Sequence, residues 1–87
     1  MNIQKHDLHH EFPEFRDEIR TLKMNNNHFA KVFKEYHELD HEVIRIEEGV
    51  ENTTDEYLDE LKMQRLNHKD ELFLMLKKHQ AKLAQSI

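Results

Sequence analysis

The chain has 87 residues, of which 37% are hydrophobic and 36% are charged, with one Gly, one Pro, no Cys and no Trp. A chain of this length forms one domain, and its few apolar residues can cover a seam between helices but hardly the walls of a deep catalytic cavity. Thirteen Lys and Arg against eighteen Asp and Glu give a formal net charge of −5, which repels a polyphosphate, so no nucleic-acid partner is expected,.

The first twelve residues are polar, include His6, His9 and His10, and show no hydrophobic period. We therefore predict a flexible His-rich arm over 1–12, followed by a single helical domain over 13–87. The sequence has no apolar run that predicts a signal peptide or a membrane span, so no membrane contact is expected. The lack of cysteine fits a reducing compartment, and we expect a cytoplasmic protein.

A short amphipathic helix is predicted from Pro13 to about Met24. Proline is favourable in the first turn of a helix, and acidic residues follow it near the positive end of the helix dipole. Three asparagines come next, and because Asn is a poor residue inside a helix but a good N-cap, Asn27 is predicted to cap the following helix,.

A longer helix follows, with apolar residues that alternate in steps of three and four, as in a heptad repeat. Gly49, the only glycine, is predicted to end this helix in the left-handed conformation. The residues of the seam are Phe29, Val32, Tyr36, Leu39, Val43, Ile46 and Val50.

The last helix is predicted to begin after Thr53, which forms a capping box with Glu56, and to run to about Ala84,. One stripe of this helix is apolar except for Arg65 in its middle. Folding the chain at residues 49–53 places Asp40 near Lys62 and Arg65, so we predict that Asp40 forms an interhelical polar pair with one of them. The expected fold is all-α, an antiparallel two-helix hairpin resembling a coiled coil, with a short preceding helix.

The segment from His37 to His41 has the sequence His-Glu-Leu-Asp-His, a pattern in which two histidines one turn apart bind zinc and the glutamate acts as a general base,. A catalytic zinc also needs a third protein ligand and a cleft, which a lone hairpin hardly provides. His37 and His41 are therefore weak metal candidates, and we expect no cofactor.

Several large apolar residues lie off the main seam, among them Phe33 and Leu66. Because two thin seams bury little area, we predict that the hairpin self-associates, with these two residues near the contact. The predicted partner is a second copy, in a homodimer, or another protein.

Three segments together resemble the YdcH-like family of small bacterial proteins. They are Phe12-Pro13-Glu14-Phe15-Arg16, then His37-Glu38-Leu39-Asp40 with Glu42 and Ile44 downstream, then Arg65-Leu66 followed by Lys69-Asp70-Glu71-Leu72. The sequence departs from the family pattern at Phe15, where Tyr is common, and at His68, where an apolar residue is frequent. The resemblance covers about residues 10–80 and implies a short helical hairpin of unknown function, without catalytic residues to carry over.

The sequence thus predicts a small protein that is not an enzyme and that acts through protein–protein contacts. The alternative is a zinc-binding protein or a metal-dependent hydrolase that uses His37, Glu38 and His41.

Overall fold

The computed structural model describes residues 8–85, and every regular element in that range is helical. A one-turn helix, α1 (Leu8–Glu11), is followed by a 3-10 turn over Pro13–Phe15. The remaining helices are α2 (Arg16–Asn25), α3 (Asn27–Glu47) and α4 (Asp55–Gln85). The all-α class expected from the sequence is confirmed.

The break between α2 and α3 lies at Asn26, whose backbone is extended with φ −129° and ψ 107°. Its side-chain oxygen accepts a hydrogen bond from the Phe29 amide at 3.0 Å, which satisfies one of the free N–H groups of the first turn,. The prediction that Asn27 is the cap is wrong by one residue, because Asn27 is already helical. Three identical side chains offer the same capping chemistry, and only packing selects among them.

Helix α3 ends in a Schellman motif at Gly49, which has φ +80° as predicted,. The Gly49 amide donates to the carbonyl of Ile46 at 3.1 Å, and the Val50 amide donates to the carbonyl of Arg45 at 3.0 Å. Val50 lies beyond the helix and is 72% exposed, so its predicted place in the apolar seam is wrong. The left-handed glycine turns the chain before Val50 can reach the neighbouring helix.

Helix α4 begins after Thr54, whose hydroxyl oxygen accepts from the Tyr57 amide at 3.2 Å. The cap is therefore Thr54, one residue later than the predicted Thr53. Asp55 and Glu56 occupy the first turn, where negative charge is favourable,. The end of α4 at Gln85 agrees with the prediction to within one residue.

The main core forms where α2, α3, α4 and the N-terminal turn meet. Its buried residues are Leu8, Phe15, Ile19, Leu22, Phe29, Val32, Tyr36, Leu72 and Leu76. Phe12, Phe33, Phe73 and Met75 pack against this cluster and are partly buried. The molecule is elongated, with extents of 52 × 23 × 17 Å.

Leu8 is fully buried and belongs to the main core. Residues 8–12, which the sequence analysis assigned to a flexible arm, therefore pack on the helices instead of extending from them. The physical reason is that Leu8 and Phe12 are one helical turn apart and share a face, so even a single turn packs both against the core. The rest of the predicted arm, with His6, falls outside the described residues.

Side-chain pairs between α3 and α4 follow a regular order. Glu47 near the end of α3 pairs with Lys62 near the start of α4, and Glu35 pairs with His68 further along. His28, at the start of α3, pairs with Glu71. Residue numbers thus fall along α3 as they rise along α4.

Candidate functional site

A buried ion pair joins the middle of α3 to the middle of α4. The Asp40 side chain is 1% exposed, and its Oδ1 accepts a hydrogen bond from Arg65 Nη1 at 2.9 Å. Arg65 is 17% exposed and places its guanidinium inside the otherwise apolar stripe of α4. Among residues 8–83, no buried side-chain nitrogen or oxygen lacks a hydrogen-bond partner, so the polar groups that the helices enclose are satisfied,.

Lys62, the other basic residue considered for Asp40, lies nearer to the turn. Its Nζ is 3.2 Å from Glu47 Oε2, and both side chains are more than one-third exposed. A pair exposed to this degree contributes less than about 1 kcal/mol to stability, because water screens the charges. Arg65 therefore pairs with a buried carboxylate, whereas Lys62 pairs with one that is exposed to solvent.

His37 bonds to the N-terminal turn through Nε2 and to its own helix, α3, through Nδ1. Nδ1 lies 3.0 Å from the carbonyl oxygen of Phe33 and donates to it, while Nε2 accepts from the Leu8 amide at 3.4 Å. The Nε2 lone pair, with which His37 would bind a zinc ion, accepts this hydrogen bond from a backbone N–H instead. Its partner in the sequence motif, His41, is exposed.

Within the part of the chain that the structure describes, no group of three His, Cys, Asp or Glu side chains could hold a metal ion. The zinc-binding alternative therefore has no support from the geometry of His37 and His41. The helical spacing of the motif is present, but a third ligand does not converge on it. The sequence pattern alone could not show this, because a third ligand would have come from another helix.

Phe33 lies in a sheltered aromatic cluster and not on a bare surface. Its ring centroid is 4.3 Å from that of His37 and 6.3 Å from that of His9. The Lys23 ammonium lies 4.4 Å from the same centroid, which is a cation–π contact,. Of the two residues named for self-association, Phe33 is thus flanked on several sides within the chain.

A second aromatic cluster was missed by the sequence analysis because Phe12 was assigned to the arm. Phe12 stacks on Phe73 with centroids 5.2 Å apart, and Phe15 meets Phe73 edge-on at 6.0 Å. No local signal could have found it, because Phe73 lies in α4, 61 residues after Phe12 in the sequence.

Leu66 lies on the solvent side of α4 and is 49% exposed. Other large apolar residues of the same helix are also exposed: Tyr57 at 44%, Met63 at 59%, Leu74 at 60% and Leu83 at 56%. Helix α4 therefore carries apolar side chains both on its core face and on its outer face, which is unusual for a helix of a monomer.

Near the turn, Glu42 and Glu51 share the guanidinium of Arg45. Arg45 Nη2 is 3.1 Å from Glu51 Oε1, and Nη1 is 3.9 Å from Glu42 Oε2. A hydrogen bond with the Glu51 carboxyl raises the pKa of Glu42 above its usual value, with smaller contributions from desolvation and from the charge of Glu51, while Arg45 opposes the shift,. The cluster is on the surface and lines no enclosed cavity.

Two grooves, with volumes of about 300 Å³ and about 320 Å³, are open to solvent. One, beside α2, is lined by His9, Arg16, Asp17, Arg20, Lys23 and Met24. The other, between α3 and α4, is lined by Glu35, Glu38, Leu39, Glu42, Leu61, Gln64 and His68.

Within residues 8–85, no helix is both long and apolar enough to cross a membrane.

These features define a small all-α protein in which a buried ion pair links two long helices. The family model described as "Protein of unknown function (DUF465)" matches residues 29–76. The chain is also 35% identical over 71 residues to "Uncharacterized protein YdcH" of Escherichia coli (strain K12), an alignment that covers 82% of this chain and 96% of the relative. A protein with the same description from Shigella flexneri matches to the same extent.

The chain therefore belongs to the DUF465 family, and the YdcH-like resemblance noted in the sequence is confirmed. No solved structure gives a significant match.

Proposed function

We propose that the protein is a non-catalytic helical protein that acts through protein–protein contacts and that associates with a second copy of itself. The observation that carries the proposal is the exposure of Met63, Leu66 and Leu74 on the side of α4 that faces away from the core. A helix that presents large apolar side chains on two faces gains free energy when a partner removes the second face from water.

We also infer that α3 and α4 form an antiparallel hairpin. Support comes from the order of the cross-helix pairs, in which Glu47 meets Lys62, Asp40 meets Arg65 and His28 meets Glu71. A stretch of only seven residues connects the two helices, and short connections are typical of antiparallel neighbours,. Such a hairpin holds the outer face of α4 rigid, so a partner would meet a preformed surface.

The shape of the surface favours a macromolecular partner over a small substrate. Small-molecule sites enclose most of their ligand in a concave pocket. The grooves described above are open, whereas the exposed apolar residues outside the core stripe of α4 extend from residue 57 to residue 74 along an elongated molecule. A long face of this kind suits a helix of another chain. A cytoplasmic location, which we retain as part of the proposal, fits a sequence without cysteine,.

Analytical ultracentrifugation of the purified chain at tens of micromolar tests the proposal. We expect a mass above the 10.7 kDa of one chain and a fall towards that mass on dilution,. Leu74→Asp should weaken association, because it places a carboxylate in the contact. Met24→Asp is the matched control, since Met24 is 77% exposed on a different helix.

Two results would contradict self-association. One is a wild-type chain that sediments as a monomer throughout this concentration range. The other is an association that Met24→Asp weakens as much as Leu74→Asp does, since the contact would then lie elsewhere on the molecule. Circular dichroism of each variant confirms that the helices are intact.

A further inference from the structure

A line of eight exposed positions with heptad spacing runs along the outer face of α4. These positions alternate in steps of four and three residues, the spacing that keeps side chains on one line of a helix in contact with a neighbour. Every one of them is exposed: Glu56, Glu60, Met63, Asn67, Asp70, Leu74, Lys77 and Ala81. We call this set the outer seam.

The charges of the outer seam are ordered along the helix. Its first two positions are acidic, and its only basic residue is Lys77 near the end. Its two large apolar residues, Met63 and Leu74, lie on either side of Asn67 and Asp70. When a second copy of α4 runs in the opposite direction, Glu60 lies opposite Lys77 and Met63 lies opposite Leu74. The pattern is therefore complementary to itself in the antiparallel orientation. Asn67 stands opposite Asp70, where an amide can donate to a carboxylate.

We propose that the outer seam docks against the outer seam of a second copy, with the two α4 helices antiparallel and Asn67 of each copy opposite Asp70 of the other. The inference rests on the proposed self-association and specifies its surface and register. In this register each layer pairs heptad position a of one copy with heptad position d of the other, which is the layer pattern of antiparallel coiled coils. The contact is symmetric, so two copies close into a dimer and leave no free seam.

The positions that flank the outer seam also match in this register. Leu66, 49% exposed, comes beside Phe73 of the second copy, which is only partly buried in its own chain. Tyr57, 44% exposed, comes beside Lys78 of the second copy, where a cation–π contact is available,. The exposed apolar side chains of α4 from residue 57 to residue 74 thus all fall within the contact.

The charge of the whole molecule favours the same orientation. Residues 35–60 contain eleven acidic residues and one basic residue, a net charge of −10. Residues 8–34 and 72–83, which pack together at the other end, contain eight Lys and Arg and four acidic residues, a net charge of +4. An antiparallel dimer lays the acidic end of each copy beside the basic end of the other, whereas a parallel dimer would align like charges at both ends.

The dimer is expected to be weak and sensitive to salt. The seam from residue 56 to residue 81 is about 39 Å long at 1.5 Å per residue, and a single helix face of that length buries less area than most stable interfaces. Only two of its eight positions carry large apolar side chains. Charge pairing therefore contributes much of the affinity, and added salt screens it.

Charge exchange between Glu60 and Lys77 tests the register. Glu60→Lys alone places two basic side chains in each of the two symmetric contacts, and Lys77→Glu alone places two acidic ones there. Each variant alone should dimerise about tenfold more weakly than wild type. An equimolar mixture should form a heterodimer at least as tight as the wild-type dimer, because each contact of the mixed pair then joins opposite charges.

Lys77 is available for this contact in the single chain. Its ammonium lies 5.7 Å from the ring centroid of Phe73 and 5.9 Å from that of Phe15, near the outer limit of a cation–π contact,. The side chain is exposed and can turn towards a carboxylate of the second copy at little cost.

Cross-linking supplies an independent readout, because the chain has no cysteine of its own. Met63→Cys mixed with Leu74→Cys should give a disulfide-linked dimer between the two variants. Met63→Cys alone should give little, since the two copies of position 63 would be about 16 Å apart along the helices.

The possible failures can be told apart. A wild-type chain that stays monomeric overturns the proposed self-association and this inference together. A wild-type dimer that neither single charge variant weakens, or in which Met63→Cys cross-links to itself, overturns the antiparallel register and leaves self-association standing.

Discussion

Replacing Asp40 with Asn removes one charge of the buried pair while preserving the shape of the side chain. Arg65, 17% exposed, then keeps its charge without the carboxylate 2.9 Å away. Loss of one partner of a buried pair typically costs about 3–5 kcal/mol, and the partial exposure of Arg65 favours the lower end, about 3 kcal/mol. For a domain of this size the melting temperature should fall by more than about 10 °C.

Urea unfolding followed by circular dichroism, at one fixed protein concentration, measures this loss. Glu47→Gln is the matched control, because it removes the carboxylate of the exposed pair with Lys62 and should cost less than about 1 kcal/mol,. The double variant Asp40→Leu/Arg65→Met should recover most of the stability lost in Asp40→Asn, since it leaves no charge buried.

The reasoning would be refuted if Asp40→Asn and Glu47→Gln cost the same, or if the double variant were no more stable than Asp40→Asn. Either result would mean that burial of the pair does not determine its contribution to the free energy of unfolding.

Three further predictions concern single positions. Gly49→Ala should lower the free energy of unfolding by about 1 kcal/mol in a thermal melt, because φ is +80° and a methyl group there would contact nothing within 4 Å, so backbone strain is the whole cost,. Asn26→Ala should cost about 1 kcal/mol and Asn27→Ala clearly less, since only the first caps α3; equal losses would contradict the assignment,. Because the pKa of Glu42 is raised from 4.5 in the folded protein, its contribution to stability is largest below that pH and is lost as the pH rises through the raised value,. Glu42→Gln should therefore reduce the loss of stability with rising pH just above 4.5, and melts in which the two proteins show the same pH dependence would contradict a raised pKa of Glu42,.

The sequence predicted the helices well because periodicity and caps are local properties. The break at Gly49 followed from its being the only glycine, and its left-handed backbone is confirmed. The helix caps are Asn26 and Thr54, and each lies one residue away from the predicted cap. In both places a chemically equivalent neighbour was available, so the choice depended on how the helices pack and not on local preference.

The N-terminal turn shows where local signals fail. Residues 8–12 are too few and too polar to predict a stable helix alone. Leu8 is nevertheless fully buried, and its amide donates to His37, a residue 29 positions away. No period in the sequence reports such a contact, which also occupies the ring nitrogen with which His37 would bind a metal ion.

The sequence by itself determined the helical class, the extents of the long helices to within a residue or two, and the charge order along α4, because each depends on neighbours one or two turns apart. Only the tertiary structure decided that Asp40 pairs with Arg65 and that Lys62 pairs with Glu47. It also decided that Phe33 is sheltered while Leu66 is exposed, and that Leu8 is buried in the core. These outcomes depend on which groups from distant parts of the chain exclude water from one another, and that is settled when the helices pack.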